Sequence, residues 1–552
     1  MKINILSAKE NFFDVVILGS GIAGIIAALE LEELGAKVLV IEAGKYKRDE
    51  VSQKFYKAEI LSKYHSDASA HRSRRFGGTS DVWGGRCVPY DEIDFKKRDH
   101  IPDSGWDFEK EYLNDFYSAA HKWLKIGPYD FSGENLFGKG RSKMIEGLSS
   151  DLIATDNSEI FTFPIDLGKE YKEHFRKSNS IFYLIDCQAF NIDLAKNGKK
   201  VTAIKLRDKK SKTHLIECKF LILAMGCLET TRILLSSNKI CKKGIGNHAD
   251  LLGRFYQSHL SGTLGTLKVK KDFKTFFDFE KTKYGDYGRR RLVTTSKAQL
   301  EYRLANFVSW PEYPDLHDHR HNSGVLSAMY LAKNLRYFHN RRLPEYGLIF
   351  SVNTKFDILL HILNIIRDFP RVIKYGAKYI RYNIFARRKL PGVFIKAAEN
   401  SYQLHYHVEQ VPNFNSRIML SKERDINGDR LLSIDWNYKE LDVDSIVDSY
   451  KLIRNELRKS GVGDLVFDEK ILRSQVKDRI GVGGHHIGTT RMNKNPNKGV
   501  VDLNCCIHGL DNIYIASSSV FPTSGQANPS LTIAAIAVLA ARKCFEKMLS
   551  RK

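Results

Sequence analysis

Residues 14–44 read DVVILGSGIAGIIAALELEELGAKVLVIEAG, which sets an apolar run, a glycine turn, a helical pattern and a second apolar run end to end. Asp14–Ile17, DVVI, is a short β-branched run and reads as the first strand. Gly19, Gly21 and Gly24 follow at dinucleotide-fingerprint spacing around Ser20. The first glycine permits the tight turn, the second lets backbone approach a pyrophosphate, and the third allows close helix–strand packing. The helical pattern runs through Leu29, Leu31 and Leu34 and stops at Gly35, and KVLVI is the second strand. Glu42 closes that strand, 23 positions after Gly19, where a carboxylate suits ribose hydroxyls and disfavours a 2′-phosphate. The unit predicts a Rossmann-type dinucleotide site and leaves the choice between NAD and FAD open.

Two later passages carry chemistry of their own. RFGGTSDVWGGR (75–86) places glycine pairs around Thr79, Ser80 and Trp83, so backbone can lie against a flat ring system where a Cβ would block it. GGHHIGTTRM (483–492) pairs His485 with His486, and Asn528-Pro529 follows some forty residues on. An imidazole near pKa 6.5 is a natural base for an alcohol proton at neutral pH. Adjacent side chains diverge and no Cys, Asp or Glu cluster accompanies the pair, so no metal site is expected.

At 552 residues the chain exceeds the usual reach of one hydrophobic core. Strand and helix signals for nucleotide binding occur near both ends and again at KFLILAMG (219–226), so the domain carrying them is predicted to be discontinuous. Between about 260 and 475 the sequence turns rich in aromatics and lysine, as befits a substrate-side domain. Eight scattered cysteines without CxxC spacing read as reduced and intracellular. The first residues lack the apolar core of a secretory signal, and no apolar run reaches membrane-spanning length, so a cytoplasmic location is expected. A net charge of +23 favours polyanionic partners, but no zinc-finger or RNP signature points to nucleic acid. Lys355–Lys389 holds nine basic residues against Asp357 and Asp368, interleaved with Ile358, Leu359, Ile362, Ile365 and Ile366. This segment reads either as helices packed on the core with solvated lysines, or as a peripheral contact with an anionic membrane.

VVILGSGIAG with IEAG, RFGGTSDVWGG, LILAMGCLETTRILL, LLGRFYQSHL, PNFNSRIMLSKERD and HHIGTTRM…VFPTSGQANPSLTIAA together resemble the glucose–methanol–choline (GMC) family of flavin oxidoreductases. The resemblance implies an α/β fold: a discontinuous FAD-binding Rossmann-like domain plus a substrate-binding domain with a mixed or antiparallel sheet and helices. Residues 1–100, 171–260 and 478–552 would form the FAD-binding domain. Residues 101–170 would be a linker or substrate-side segment, and 261–477 the substrate-binding domain. By the same resemblance His485, which begins the H-x-x-G-T motif, would be the catalytic base, with His486 in reserve. Asn528 would hydrogen-bond the alcohol oxygen. Gly19, Ser20, Gly21, Gly24, Glu42 and Ala43 would hold the ADP half of FAD, with Ala189 near adenine. Gly78, Thr79, Ser80, Trp83, Ser518, Ser519 and Asn528 would lie near the pyrophosphate and ring. Val82 stands where some relatives carry a flavin-linking histidine, so the FAD is expected to be non-covalent. Ser517 stands where many relatives have aspartate. The implied activity is oxidation of a sugar or other polar alcohol, the substrate being a small molecule or glycan, with an unidentified electron acceptor. A non-redox lyase of the same family and a flavin-bearing membrane-surface protein are the alternatives.

Overall fold

The shortest, most apolar runs of the sequence meet in one sheet. The computed structural model describes residues 1–162, 166–334, 355–386, 390–392, 394–397, 400–481 and 483–551. In it, five parallel strands lie in the order Ile513–Ile515, Phe220–Leu223, Val15–Leu18, Val38–Ile41, Ile181–Leu184. Val15 sits opposite both Phe220 and Val38, and Leu223 opposite Ile515. Every residue of these strands is buried, the condition of a parallel sheet covered on both faces. Helix Ile22–Glu33 buries residues all round its first two turns and packs against helix Ser530–Leu549. The latter presents Ala534, Ala535, Ala537, Ala540 and Ala541, whose small side chains let the two helices approach closely. The sheet thus draws its strands from three separated stretches of chain.

A second sheet is antiparallel at every pairing. It runs Gly463–Val466, His259–Val269, Ser401–Glu409, Phe307–Glu312, Tyr287–Thr294, Ile153–Phe161, Arg86–Cys87, with Glu280–Lys281 beside Tyr287–Thr294. Helix Glu440–Lys459 belongs to its core through Val443, Ile446, Val447, Tyr450, Ile453 and Leu457, a stripe at helical spacing. The Tyr450 hydroxyl donates to the Leu404 carbonyl at 2.8 Å and fixes the helix on the sheet. Ile153–Phe161, inside the stretch predicted as linker or substrate-side segment, is a nine-residue strand of this sheet. Each sheet has its own hydrophobic core.

Where basic amphipathic helices are predicted, Lys355–Arg367 and Phe369–Tyr379 are helical, followed by a wide turn at Ile380–Phe385. Arg387, Arg388 and Lys389 lie outside the described residues. No described helix is long and apolar enough to cross a membrane.

Candidate active site

The three fingerprint glycines are required for different reasons. Gly19 has φ 96°, and a Cβ there would meet the Ala224 carbonyl oxygen at 2.6 Å. A Cβ on Gly24 would meet the Gly19 oxygen at 1.9 Å, so the third glycine is demanded by packing beneath the turn. Gly21 differs: a Cβ there would meet nothing nearer than the Gly78 Cα at 4.0 Å. Nothing in the fold itself forbids a side chain at Gly21, which leaves its open face for a ligand. Gly78 stands back to back with it, since its own Cβ would come within 2.7 Å of the Gly21 Cα. Gly21 is the N-cap of helix Ile22–Glu33 and supplies no side-chain cap, so the first-turn N–H groups and the positive helix end remain for an anion.

Gly19, Ser20, Gly21, Glu42 and Ala43 line one wall of a cleft of about 260 Å3. Gly78, Thr79, Trp83, Ala189, Ser518 and His485 line the same cleft. The remaining predicted residues lie behind this surface. Gly24 packs under the turn. The Ser80 hydroxyl donates to the Gly77 carbonyl at 2.6 Å and accepts from the Leu167 N–H, holding the glycine-rich loop in shape. Ser519 is locked between Ser517 and Thr490, each Oγ contact being 2.6 Å. Asn528 precedes the lining residue Pro529 and reaches the cleft through His485. Buried Glu42 accepts from the Ser20 N–H at 3.0 Å, the Ser20 hydroxyl at 2.7 Å and the Gly44 N–H at 2.7 Å. Both lone pairs of Oε2 are engaged, and one on Oε1 is left for a ribose hydroxyl.

At the other end of the cleft four side chains form a hydrogen-bond chain with fixed polarity. Arg86 Nη1 can only donate, and it lies 3.2 Å from Asn528 Oδ1. The amide therefore turns Nδ2 towards His485 Nε2, at 3.1 Å. At the far end, the Ser524 carbonyl can only accept, and His259 Nε2 lies 3.2 Å from it. His259 is buried, and burial together with the neighbouring His485 pushes its pKa well below 6.5. It is thus a neutral ring with its proton on Nε2 and a lone pair on Nδ1. That lone pair is 2.9 Å from His485 Nδ1, which must carry the proton. His485 Nε2 is left bare, in the state a general base requires.

His407 stacks on His259 with ring centroids 4.3 Å apart, and its Nδ1 donates to the Gln526 carbonyl at 2.8 Å. The three imidazoles each place a ring nitrogen within 4.8 Å of the others, a spacing that could admit a cation. The two Nδ1 atoms of His259 and His485 stand at hydrogen-bond distance, 2.9 Å. His486 diverges from His485 as predicted for adjacent side chains. Its Nδ1 is 2.6 Å from the Tyr256 hydroxyl, which lies 2.8 Å from His65 Nε2. Burial, then Arg72, drives the His486 pKa well below 6.5, and its Nε2 is buried without a hydrogen-bond partner among the described residues.

Behind Asn528, Glu159 faces Arg289 at 2.6 Å, Arg86 at 3.3 Å and Arg291 at 3.8 Å. Burial opposes its ionisation, but the three guanidinium groups, Arg289 foremost, hold it below the usual carboxylate range. Trp310 lies against Arg86 and Arg289, with guanidinium-to-ring distances of 4.5 and 4.6 Å. His259, His407, Tyr256 and Trp310 carry no local motif that marks them as site residues. His259 and Tyr256 lie inside the block LLGRFYQSHL, and Arg86 ends the second glycine passage. Their roles became legible only through strand pairing.

The cleft meets the demands of FAD on this chain's own features. It has a side-chain-free cradle at Gly21 and Gly78, an open helix N-terminus, and an orphaned imidazole nitrogen at His486 on its wall.

Residues 412–537 match the family described as GMC oxidoreductase, and residues 13–251 the family described as pyridine nucleotide-disulphide oxidoreductase. Paromamine 6'-oxidase of Streptomyces fradiae is 28% identical over 141 residues, covering 25% of each chain. The 6'''-hydroxyparomomycin C oxidase of Streptomyces lividus is 30% identical over 131 residues, covering 24% of this chain and 23% of its own. The chain thus spans about a quarter of the length of these relatives. Pyridoxine 4-oxidase from Mesorbium loti shares the fold, with a TM-score of 0.55 at 16% identity over 97% of this chain and 99% of its own. So does an Aspergillus oryzae formate oxidase variant studied for FAD modification, at 0.54 and 14% over 98% and 99%. With its fingerprint turn, parallel sheet and carboxy-terminal histidine motif assembled around one cleft, the chain joins a pyridine nucleotide-disulphide oxidoreductase-type amino-terminal half to a carboxy-terminal region of the GMC oxidoreductase family, both families of FAD-using flavoproteins.

Proposed function

We propose that this protein oxidises the CH–OH carbon of a small polar, sugar-like alcohol, with non-covalently held FAD and His485 as general base. The carrying observation is that the glycine turn and His485 line one cleft, while the surrounding hydrogen bonds leave His485 Nε2 free of a proton. When bound, the FAD supplies the hydride acceptor. Everything else is done by side chains of this chain. Substrate hydroxyl proton passes to His485 Nε2, and the imidazolium formed keeps its Nδ1–H on His259. Asn528 Nδ2 moves its hydrogen bond from His485 to the substrate oxygen, while Arg86 holds the amide in the orientation that presents N–H. Gly19, Ser20, Gly21, Glu42 and Ala43 would hold the ADP half, and Gly78, Thr79, Trp83 and Ser518 the pyrophosphate and ring side. Val82 lines the cleft where a linking histidine would stand and has no nucleophile to form a bond. The names of the similar proteins, an oxidase of paromamine and an oxidase of pyridoxine, support a polar alcohol as substrate.

The same reading keeps the proposed division of the chain, with 1–100, 171–260 and 478–552 on the FAD side and 261–477 on the substrate side. It places the protein in the cytoplasm, with a peripheral contact to an anionic membrane through 355–389. The test is one preparation. Purified protein is expected to be yellow and to release FAD into the supernatant on denaturation. Its flavin bleaches when a cognate polar alcohol is added without oxygen. Recovery of colour on admitting air marks an oxidase, and recovery only with a quinone or dye marks a dehydrogenase. Colourless protein that takes up no FAD, or a flavin unchanged across a broad alcohol panel, contradicts the proposal.

A further inference from the structure

Helix Lys355–Arg367 is built with its polarity reversed. The residues it turns inward include His361 and Asn364, both buried. His361 Nδ1 lies 2.9 Å from the Ser327 hydroxyl, and Asn364 Nδ2 donates to the His319 carbonyl at 2.7 Å. The side it turns outward carries Ile358, Leu359, Ile362 and Ile366, all exposed. A helix packed on a core with solvated lysines outward would show the opposite arrangement.

The next helix, Phe369–Tyr379, has no buried residue at all. One non-helical residue, Asp368, separates the two, and its carboxylate accepts from the Gly324 N–H at 3.0 Å and ties the junction to the body of the protein. The outward stripe then continues as Ile362, Ile366, Phe369, Ile373, Ile380 and Ile384, at helical steps of three, four or seven residues. Ten of the twenty-six exposed large hydrophobic side chains among the described residues fall within 358–385. Such a concentration of exposed apolar side chains is the mark of an interaction surface. Beside the apolar stripe runs a basic one, Arg367, Arg371, Lys374, Lys378 and Arg381, at steps of four and three. Arg371 and Lys378 lie 3.5 and 3.8 Å from Asp368 and Asp278. Arg367, Lys374 and Arg381 pair with no carboxylate among the described residues.

We infer that residues 358–385 form an in-plane docking face for a bilayer bearing anionic headgroups, the apolar stripe entering the acyl boundary and the basic stripe lying at headgroup level. A long apolar ridge with cations along its edge matches a surface that is apolar in depth and negative at its rim. The chain's net charge of +23 adds long-range attraction of the same sign. The inference sharpens the membrane contact proposed for 355–389 into one face, and it requires neither bound FAD nor turnover.

The test is flotation of the purified protein with phosphatidylcholine vesicles and with vesicles containing phosphatidylserine. The wild type is expected to float with the anionic vesicles and to release as salt is raised. Arg367→Ser/Lys374→Ser/Arg381→Ser is expected to weaken partition by roughly a hundredfold, from about a fivefold loss per cation. Ile366→Glu/Ile373→Glu/Ile384→Glu is expected to abolish flotation while leaving the thermal melt unchanged, because all three positions are exposed. Wild-type protein that stays in the buffer with both vesicle types overturns the inference. So does anionic-vesicle binding that both variants retain. Light scattering that shows a dimer dissociated by Ile373→Glu, without lipid binding, assigns the face to a second copy of the chain instead. Because flotation does not depend on catalysis, its failure leaves the alcohol-oxidation proposal standing, and a colourless protein leaves this test intact.

Discussion

His485 is held at both ring nitrogens, and each partner is itself held by a group of only one polarity: a guanidinium beyond Asn528, a backbone carbonyl beyond His259. A neutral imidazole free in water exchanges between two tautomers, and only the form bare at Nε2 can take a proton on the side facing Asn528. His259 is therefore a positioning residue. Replacing it by phenylalanine keeps ring volume and removes the acceptor for the Nδ1 proton. His259→Phe is expected to retain its flavin spectrum and to lose roughly tenfold or more in turnover. In 15N-histidine spectra, with the His485 signals assigned by their loss in His485→Gln, the wild-type ring should be protonated at Nδ1 and the variant a mixture. A wild-type ring protonated at Nε2 would contradict the assignment whatever the activity. The motif around His485 and the Asn528-Pro529 pair were legible because each sits in a short local pattern. His259 was not, because its part in the site exists only once strand His259–Val269 lies in register beside Ser401–Glu409 and reaches a histidine more than two hundred positions away.

Among the elements, the glycine turn separates folding from binding within six residues. Gly24→Ala would set a methyl 1.9 Å from the Gly19 carbonyl oxygen, a backbone atom pinned by the sheet, and is expected to cost about 2 kcal/mol or more in chemical denaturation. Gly21→Ala meets nothing nearer than 4.0 Å and should melt like the wild type, while its FAD affinity falls roughly tenfold or more, the equivalent of modest overpacking against the bound group. Equal destabilisation by both substitutions, or full FAD affinity in Gly21→Ala, would refute this division. The strands Val15–Leu18, Val38–Ile41 and Phe220–Leu223 could be read from sequence because a strand buried on both faces is apolar without alternation. The antiparallel sheet was not read strand by strand. Its strands mix buried histidines and arginines with apolar residues, as in Tyr287–Thr294, where every residue is buried yet Arg289, Arg290 and Arg291 stand in the middle. Their charges are balanced by Glu159 and Glu280 on other segments, which no local pattern reveals.

For the molecule as a whole, the central requirement is that two ends of the chain build one place. The turn at 19–24 and the histidine at 485 are separated by most of the sequence and by the entire antiparallel sheet, yet both line the cleft. The discontinuous plan was visible in the sequence from strand signals at both ends and near residue 220. The reversed polarity of helix Lys355–Arg367 was not, because a list of basic and apolar residues does not say which side faces inward. Strand Phe307–Glu312 carries Trp310 beside Arg86, in the sheet that backs the site. The assembly is tested most directly by mixing FAD-loaded wild type and FAD-loaded His485→Gln anaerobically with a cognate alcohol and following flavin absorbance. Equal FAD content is expected in both proteins, with reduction slowed by about 10²- to 10⁴-fold in the variant, the loss of a general base. Reduction of the variant at the wild-type rate would contradict that role.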